Sequence, residues 1–302
     1  YTSKVWSPGE TRNAPYGADR TACETAGTKF GRFSFHATER AGDIGVEAAK
    51  EELYDETRQN FDAFIAARPE GSPFCYWWGP TNTHRKWQKG SGKALWGIDP
   101  DDLEGRLPEF LPDVHDIRED VGDYLGECMA FDGGLGVILD LLEAMGELDN
   151  TLIVFSSDHG EMLGDRDEWG KSKPWHPSAG VPLIISGPGI QKNATCHLPT
   201  TILDFTATFL DYAGLDTPDD MDSRSFKTLL EGRTDSHRDV VISGLNNWRL
   251  AYDGQFKLIR SKALGTLFFD LENDPQETTN LAGDPAHADR IRDLGAYLPE
   301  TF

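Results

Sequence analysis

The chain predicts an α/β fold with a small antiparallel sheet near its C-terminus, and three features carry that expectation. Two apolar runs of strand length, Leu152-Ile153-Val154-Phe155 and Val181-Pro182-Leu183-Ile184-Ile185-Ser186, read as buried strands of a parallel or mixed sheet. Stretches of helical periodicity lie between and around them. From about Arg233 onward the pattern changes to short β-rich runs, with Asp253-Gly254 as a hairpin signal between two of them.

Taken in order, residues 1–45 are rich in Gly, Pro, Thr and Arg and read mostly as loop. A helix follows over about 44–67, its apolar side formed by Ala48, Leu53, Phe61 and Phe64-Ile65. Pro69 to Pro73 breaks it, and Phe74-Cys75-Tyr76-Trp77-Trp78 reads as a short aromatic strand, with Trp77 and Trp78 in the core. That strand delivers Thr81-Asn82-Thr83-His84-Arg85 to its carboxyl end. After a polar excursion over 86–113, a long helix spans about 117–145, with Val121, Leu125, Cys128, Leu135, Ile138, Leu139 and Leu142 inward and Gly133-Gly134 as a kink. Thr201 to Ala213 reads as a helix closed by Gly214. The last strands are Val240 to Ile242, Arg249 to Tyr252, Lys257 to Ile259 and Leu267 to Asp270. The domain boundary falls at 232/233.

Composition narrows the partners. With 29 basic against 51 acidic residues the net charge is −22, which argues against nucleic acid or an anionic membrane surface, because both need basic patches. No apolar stretch approaches the roughly 18 residues of a spanning helix. The four cysteines, Cys23, Cys75, Cys128 and Cys196, include no CxxC pair, so a zinc site of ordinary spacing is not expected, while disulfides and free thiols both remain open.

The chemistry concentrates in Phe155-Ser156-Ser157-Asp158-His159-Gly160, followed by Trp169-Gly170-Lys171. Open α/β sheets bind ligands at the carboxyl ends of their strands. A carboxylate and an imidazole placed there can hold a divalent cation, and a lysine 12 residues beyond the histidine can hold an anion beside it. Metal plus cationic side chain suits a phosphate or sulfate ester.

These residues, with others in order along the chain, resemble the sulfatases of the alkaline phosphatase superfamily, in particular their sulfamidase-like and choline-sulfatase-like branches. Tyr1 to Gly9, with Lys4, is similar to a lysine-containing segment of that family, Thr83-His84-Arg85 to its PHR segment, and Asn150 to Gly160 to its NTLVIFTSDHG block. Val181 to Ile185 and Leu267 to Glu277 match later landmarks. The resemblance implies an alkaline-phosphatase-like mixed sheet sandwiched by helices over 1–232, with the small antiparallel sheet in 233–302. It implies Ca2+, or Mn2+ or another divalent metal, on Asp158 and His159; imidazole is an unusual calcium ligand, which keeps the transition metals open. It implies Lys4 and Lys171 on the sulfate oxygens and His84 at the leaving group, with Arg85 on a substrate acid group or in an ion pair. Trp87 and Trp96 are candidates for a substrate wall. Trp6 stands where many relatives have a histidine.

The family's Cys- or Ser-x-Pro-x-Arg run, whose first residue becomes the nucleophile formylglycine, does not occur in the 302 residues, nor does its strand with two adjacent metal-binding aspartates. The expectation is therefore a chain lacking the first hundred or so residues of a sulfatase and inactive alone, its nucleophile carried on a continuous or companion N-terminal polypeptide. The implied substrate is a small-molecule or oligosaccharide sulfate ester or N-sulfate, and the implied location periplasmic or secreted. A phosphodiesterase or phosphonate monoester hydrolase on the same scaffold, an inactive sulfatase fragment and a calcium-binding module are the alternatives.

Overall fold

Helices build the first of two compact units, Tyr1–Asp149, and short strands the second, Asn150–Phe302. The computed structural model describes residues 25–299. The sequence boundary at 232/233 lies inside the second unit.

In the first unit α1 (Phe33–Ile44) is joined to α2 (Val46–Ala66) by Gly45, whose φ of +85° suits glycine. α3 (Ser91–Trp96) and the 30-residue α4 (His115–Ala144) follow. α1 lies where the sequence read as loop; its apolar residues are too few for a clear period, and burial of Phe33 and Ala37 against Leu53, Leu95 and Ala130 supplies the missing stabilisation. Fully burying one such phenylalanine contributes about 1.5–3 kcal/mol. A second cluster joins Phe61 of α2 to Ile138 and Leu142 of α4.

α4 runs through Gly133-Gly134 as one helix, so the kink expected there does not form. The glycines serve close approach instead. A β-carbon on Gly134 would lie 2.5 Å from Cζ of Phe30, one on Gly133 would meet the hydroxyl of Tyr54, and one on Gly92 of α3 would meet the backbone of Gly122. Glycine therefore selects the inward face of α4. Gly122, Asp123, Gly126, Glu127, Ala130 and Gly134 are buried, while Leu125 and Met129 are 38% and 45% exposed.

Phe74 to Trp78 forms no regular element and pairs with no strand among the described residues, which corrects the strand reading. Burial still alternates along it: Phe74, Tyr76 and Trp78 turn toward the helices, and Cys75 and Trp77 turn out. Trp78 sits 4.9 Å from the Phe131 ring and 5.5 Å from that of Phe30, whereas Trp77 is 55% exposed and not a core residue.

The second unit opens with β1 (Ile153–Ser156), then α5 (His176–Ala179) and β2 (Leu183–Ser186). β1 and β2 pair antiparallel, Val154 opposite Ile185, and β2 is largely exposed, with Ile184 at 64%; the deep burial expected of these runs is not found. α6 (Phe205–Tyr212) ends near Gly214, at φ +71°, as its sequence signal predicts. After α7 (Lys227–Leu230) comes a four-stranded antiparallel meander, β3 (Val241–Leu245), β4 (Trp248–Tyr252), β5 (Phe256–Ser261) and β6 (Gly265–Asp270). Asp253 closes the β4–β5 turn by accepting the N–H groups of Gln255 and Phe256. Period-2 alternation gives the sheet two apolar faces. Ala251, Leu258 and Phe268 face α8 (Ala288–Gly295), and Trp248, Leu250, Ile259 and Phe269 face Trp175.

Asp204, fully buried before α6, accepts from Arg238, from the Arg224 N–H, and pairs with His237 at 2.9 Å. Burial opposes its ionisation, but these donors outweigh that and hold its pKa down at about 2.

Candidate functional site

Two loops carry the predicted site residues, one in each unit. In the first, His84 is exposed, its N–H donating to the Thr81 carbonyl and its ring Nδ1 to that of Arg85 at 2.5 Å. A carbonyl can only accept, so Nδ1 carries the proton and Nε2 is left for chemistry. The loop is tied down from several sides. Asn82 donates to Glu127 at 2.5 Å, Thr81 to the Gly31 carbonyl, and the Gln88 N–H to Ser34. Arg85 makes a bidentate pair with Asp120 at 2.7 and 2.6 Å and stacks 4.0 Å above the Trp87 ring.

That geometry gives Arg85 the ion-pair role of its two alternatives. Trp87 is only 8% exposed; its indole N–H donates to Thr83 and its ring meets Tyr124 edge-on. Trp96 stacks on Phe33 and lies under the Lys50 ammonium at 4.4 Å. Neither tryptophan offers the open wall expected of it: both anchor the excursion to the helices.

Sequence reading missed the carboxylates beneath this loop. Asp123 accepts from the Gly90 and Gly92 N–H groups, and Glu127 from the Ser34 N–H and Asn82. Burial raises the pKa of both, against the lowering effect of those donors. The signal was present in the spacing: residues 120, 123 and 127 fall on one helical face.

In the second unit, Asp158 and His159 follow β1, the carboxylate side chain 58% and the imidazole 30% exposed. The His159 ring Nδ1 donates to the Gly160 carbonyl at 2.8 Å, the same wiring as His84. Its Nε2 then faces Asp158 Oδ2 at 3.5 Å. Two electron-rich atoms at that distance are stabilised by a cation between or beside them, either a proton or a metal ion. The two donors thus fit a divalent ion as part of a ligand set. Among the described residues no third His, Cys, Asp or Glu joins them.

Lys171 sits in a loop pinned on either side of it. Glu161 accepts from the Gly170 N–H at 2.6 Å, Gly170 accepts from Met162, and the Trp248 indole donates to the Ser172 carbonyl at 3.0 Å. Lys173, the nearest competitor, is paired with Glu168 at 2.6 Å. Lys4 and Cys23 lie outside the described residues, and Cys75, Cys128 and Cys196 are free thiols. A cavity of about 420 Å³ in this unit is lined by Pro199, Arg238, Asp253, Arg290 and Tyr297 among others, and by none of the predicted site residues.

The chain belongs to the sulfatase family, whose profile matches residues 10–215. Residues 164–301 match the C-terminal domain of N-sulphoglucosamine sulphohydrolase, so the likeness to the sulfamidase branch extends through the antiparallel sheet. A multifunctional alkaline phosphatase superfamily protein, PehA, of Trinickia caryophylli is 36% identical over 60% of this chain and 40% of its own length. An N-acetylglucosamine-6-O-sulfatase of Bacteroides thetaiotaomicron is 29% identical over 74% and 42%. Among solved structures, BT4656, in complex with its substrate D-glucosamine-2-N,6-O-disulfate, superposes with a TM-score of 0.58 at 27% identity, over 68% of this chain and 44% of that one. The phosphonate monoester hydrolase of Silicibacter pomeroyi gives 0.55 at 29%, over 68% and 43%. The chain spans about two fifths of the length of the relatives it matches. The α/β class and the small C-terminal antiparallel sheet are as the sequence predicts.

Proposed function

We propose that the complete protein hydrolyses a sulfuric ester or N-sulfate on a carbohydrate, with His84, Lys171, Lys4, Asp158 and His159 as its contributing groups from these 302 residues. The observation that carries this reading is the Asp158–His159 pair past β1, whose Nε2 and Oδ2 lie 3.5 Å apart with the ring tautomer set by Gly160. The match to the N-sulphoglucosamine sulphohydrolase C-terminal domain supports a sulfated sugar over other esters.

In this reading a divalent cation, Ca2+ or Mn2+, held by Asp158 and His159, would polarise the sulfuryl oxygens and the attacking group. Lys171 neutralises charge on the sulfate oxygens, where a fixed cation is worth most as charge builds. His84, when protonated, donates from Nε2 to the departing alcohol or amine. Lys4 takes a second position on the sulfate. None of the 302 residues is assigned as nucleophile; formylglycine is placed in sequence outside them. Arg85, Trp87 and Trp96 are assigned to holding the His84 loop rather than to the sugar.

A second reading, hydrolysis of phosphonate monoesters or phosphodiesters, is favoured by the likeness to a phosphonate monoester hydrolase, 29% identical at a TM-score of 0.55. Competing an aryl sulfate against an aryl phosphonate monoester on the full-length protein separates the two. The sulfatase reading expects a higher kcat/KM for the sulfate; a higher value for the phosphonate would replace it with the second.

A further inference from the structure

The run Leu267 to Glu277 has no role in the chemistry above, yet its last residue is among the most buried charges of the second unit, 2% exposed. We infer that Glu277 is a positioning residue that fixes the loop carrying Lys171. This deepens the proposed function, since it rests on Lys171 as the anion-binding group.

The Glu277 carboxylate has two partners on different elements. One oxygen accepts from Nζ of Lys257 on β5, itself 3% exposed; the other accepts from the His176 N–H at 2.8 Å. The backbone around Glu277 takes a third connection: Arg166 donates to the Gln276 and Glu277 carbonyls at 2.6 and 2.7 Å. The Arg166 guanidinium also lies 4.1 Å from the Trp175 ring, which packs edge-on against Phe269 of β6. Residues 166 and 176 are thus clamped to the sheet through one carboxylate and its own backbone, and Lys171 lies midway between them.

Local conformation explains why a clamp is needed. Leu163, Arg166, Asp167 and Ser172 all have φ between +46° and +75°, and so does Glu277 at +55°. Each is disfavoured for a residue with a β-carbon and persists only when surrounding contacts over-determine it. Remove the carboxylate, and the His176 N–H and the Lys257 ammonium both lose their partner while the strained turns lose one end of their support.

The test is hydrogen exchange on the full-length protein. Glu277→Ala strands a buried lysine and threatens the sheet itself, so the deciding variant is the double replacement Lys257→Met/Glu277→Leu, which removes both charges. The expected result is exchange about ten-fold or more faster at the amides of Met162, Gly170 and His176, with Leu258 and Phe268 unchanged. Unchanged loop protection, or equal loss in loop and strands, would overturn the inference.

A second arm reads Lys171 directly, by its acylation with an amine-reactive ester with and without inorganic sulfate. Sulfate is expected to protect Lys171, but not Lys173, in the parent and to lose that selectivity in the double variant; selective protection retained in the double variant counts against the inference. If sulfate fails to protect Lys171 in the parent, the anion-binding reading of that lysine falls, while the exchange arm still decides whether Glu277 orders the loop.

Discussion

The loop bearing His84 and the loop bearing Lys171 are both held by buried carboxylates, but on opposite electrostatic terms. Under the His84 loop, Asp123 and Glu127 are satisfied by hydrogen-bond donors, several of them backbone N–H groups, and burial pushes their pKa values up. Under the Lys171 loop, Glu277 faces a buried ammonium, and elsewhere in that unit Asp204 faces Arg238 and His237. A carboxylate held only by hydrogen bonds can lose its charge and stay bonded in part. One that faces a buried cation cannot be removed without orphaning the cation. The first arrangement should tolerate substitution and respond to pH above the ordinary carboxylate range, because burial raises both pKa values; the second should be intolerant of single changes.

The sharpest way to break this contrast is Glu277→Ala, which should cost about 3–5 kcal/mol in urea unfolding of the second unit by leaving Lys257 charged and unpaired. Lys257→Met/Glu277→Leu should restore most of that, because a buried pair replaced by apolar groups of similar volume is often neutral. A double variant as unstable as the single one would mean the pair contributes more than its own balance of charge. Asp204 makes the companion case: its pKa of about 2 against an ordinary 3.8 corresponds to roughly 2 kcal/mol of stability. Because the folded pKa is depressed, that contribution is present above pH 3.8 and lost as pH falls toward 2. Acid titration of Asp204→Asn should lack the corresponding slope.

In the first unit, the close contacts of α4 give the next effect. Gly134→Ala should cost about 1–3 kcal/mol by thrusting a methyl group onto Phe30 and Trp78. Gly136→Ala, two residues on with nothing within 4 Å, should instead stabilise by about 0.5–1 kcal/mol. Equal effects would remove the argument that glycine chooses the buried face. Glu127→Gln is expected to act through pH. The raised folded pKa means the ionised form is disfavoured in the native state, so the parent loses stability as pH rises from the ordinary carboxylate range through the folded pKa. The glutamine variant should not, and the difference between them should grow with pH; a constant difference would contradict burial as the dominant influence on the Glu127 carboxyl. Lys173→Ala, which removes a half-exposed pair with Glu168, should change stability by less than about 1 kcal/mol.

What was legible in the sequence follows from where the information sits. The α2 and α4 helices, the C-terminal meander, its Asp253-Gly254 turn and the Asp158-His159-Gly160 block are local patterns, and they stand where they were expected. α1 was missed because its three buried residues include only two apolar ones, Phe33 and Ala37, which make no readable period. The inward face of α4 was read correctly at Ile138 and Leu142 but misjudged at Leu125, because hydrophobicity pointed there while steric fit put Gly122, Gly126 and Gly134 inside. The clamp at Glu277 was invisible for another reason: its partners lie 20 and 101 residues away, and only the fold brings them together. The same holds for Arg85, whose partner Asp120 is 35 residues distant.

The most direct test of the account is the leaving-group dependence of two single variants of the full-length protein. His84→Ala should lose about 10²–10⁴ in kcat/KM on an alkyl or sugar sulfate, whose leaving group needs a proton, and far less on a nitrophenyl sulfate, which does not. Lys171→Ala should lose comparable activity on both, because the role proposed for it is on the sulfate rather than on the leaving group. Equal losses for His84→Ala on the two substrates would contradict its assignment, and an undiminished Lys171→Ala would contradict the anion site at the end of β1.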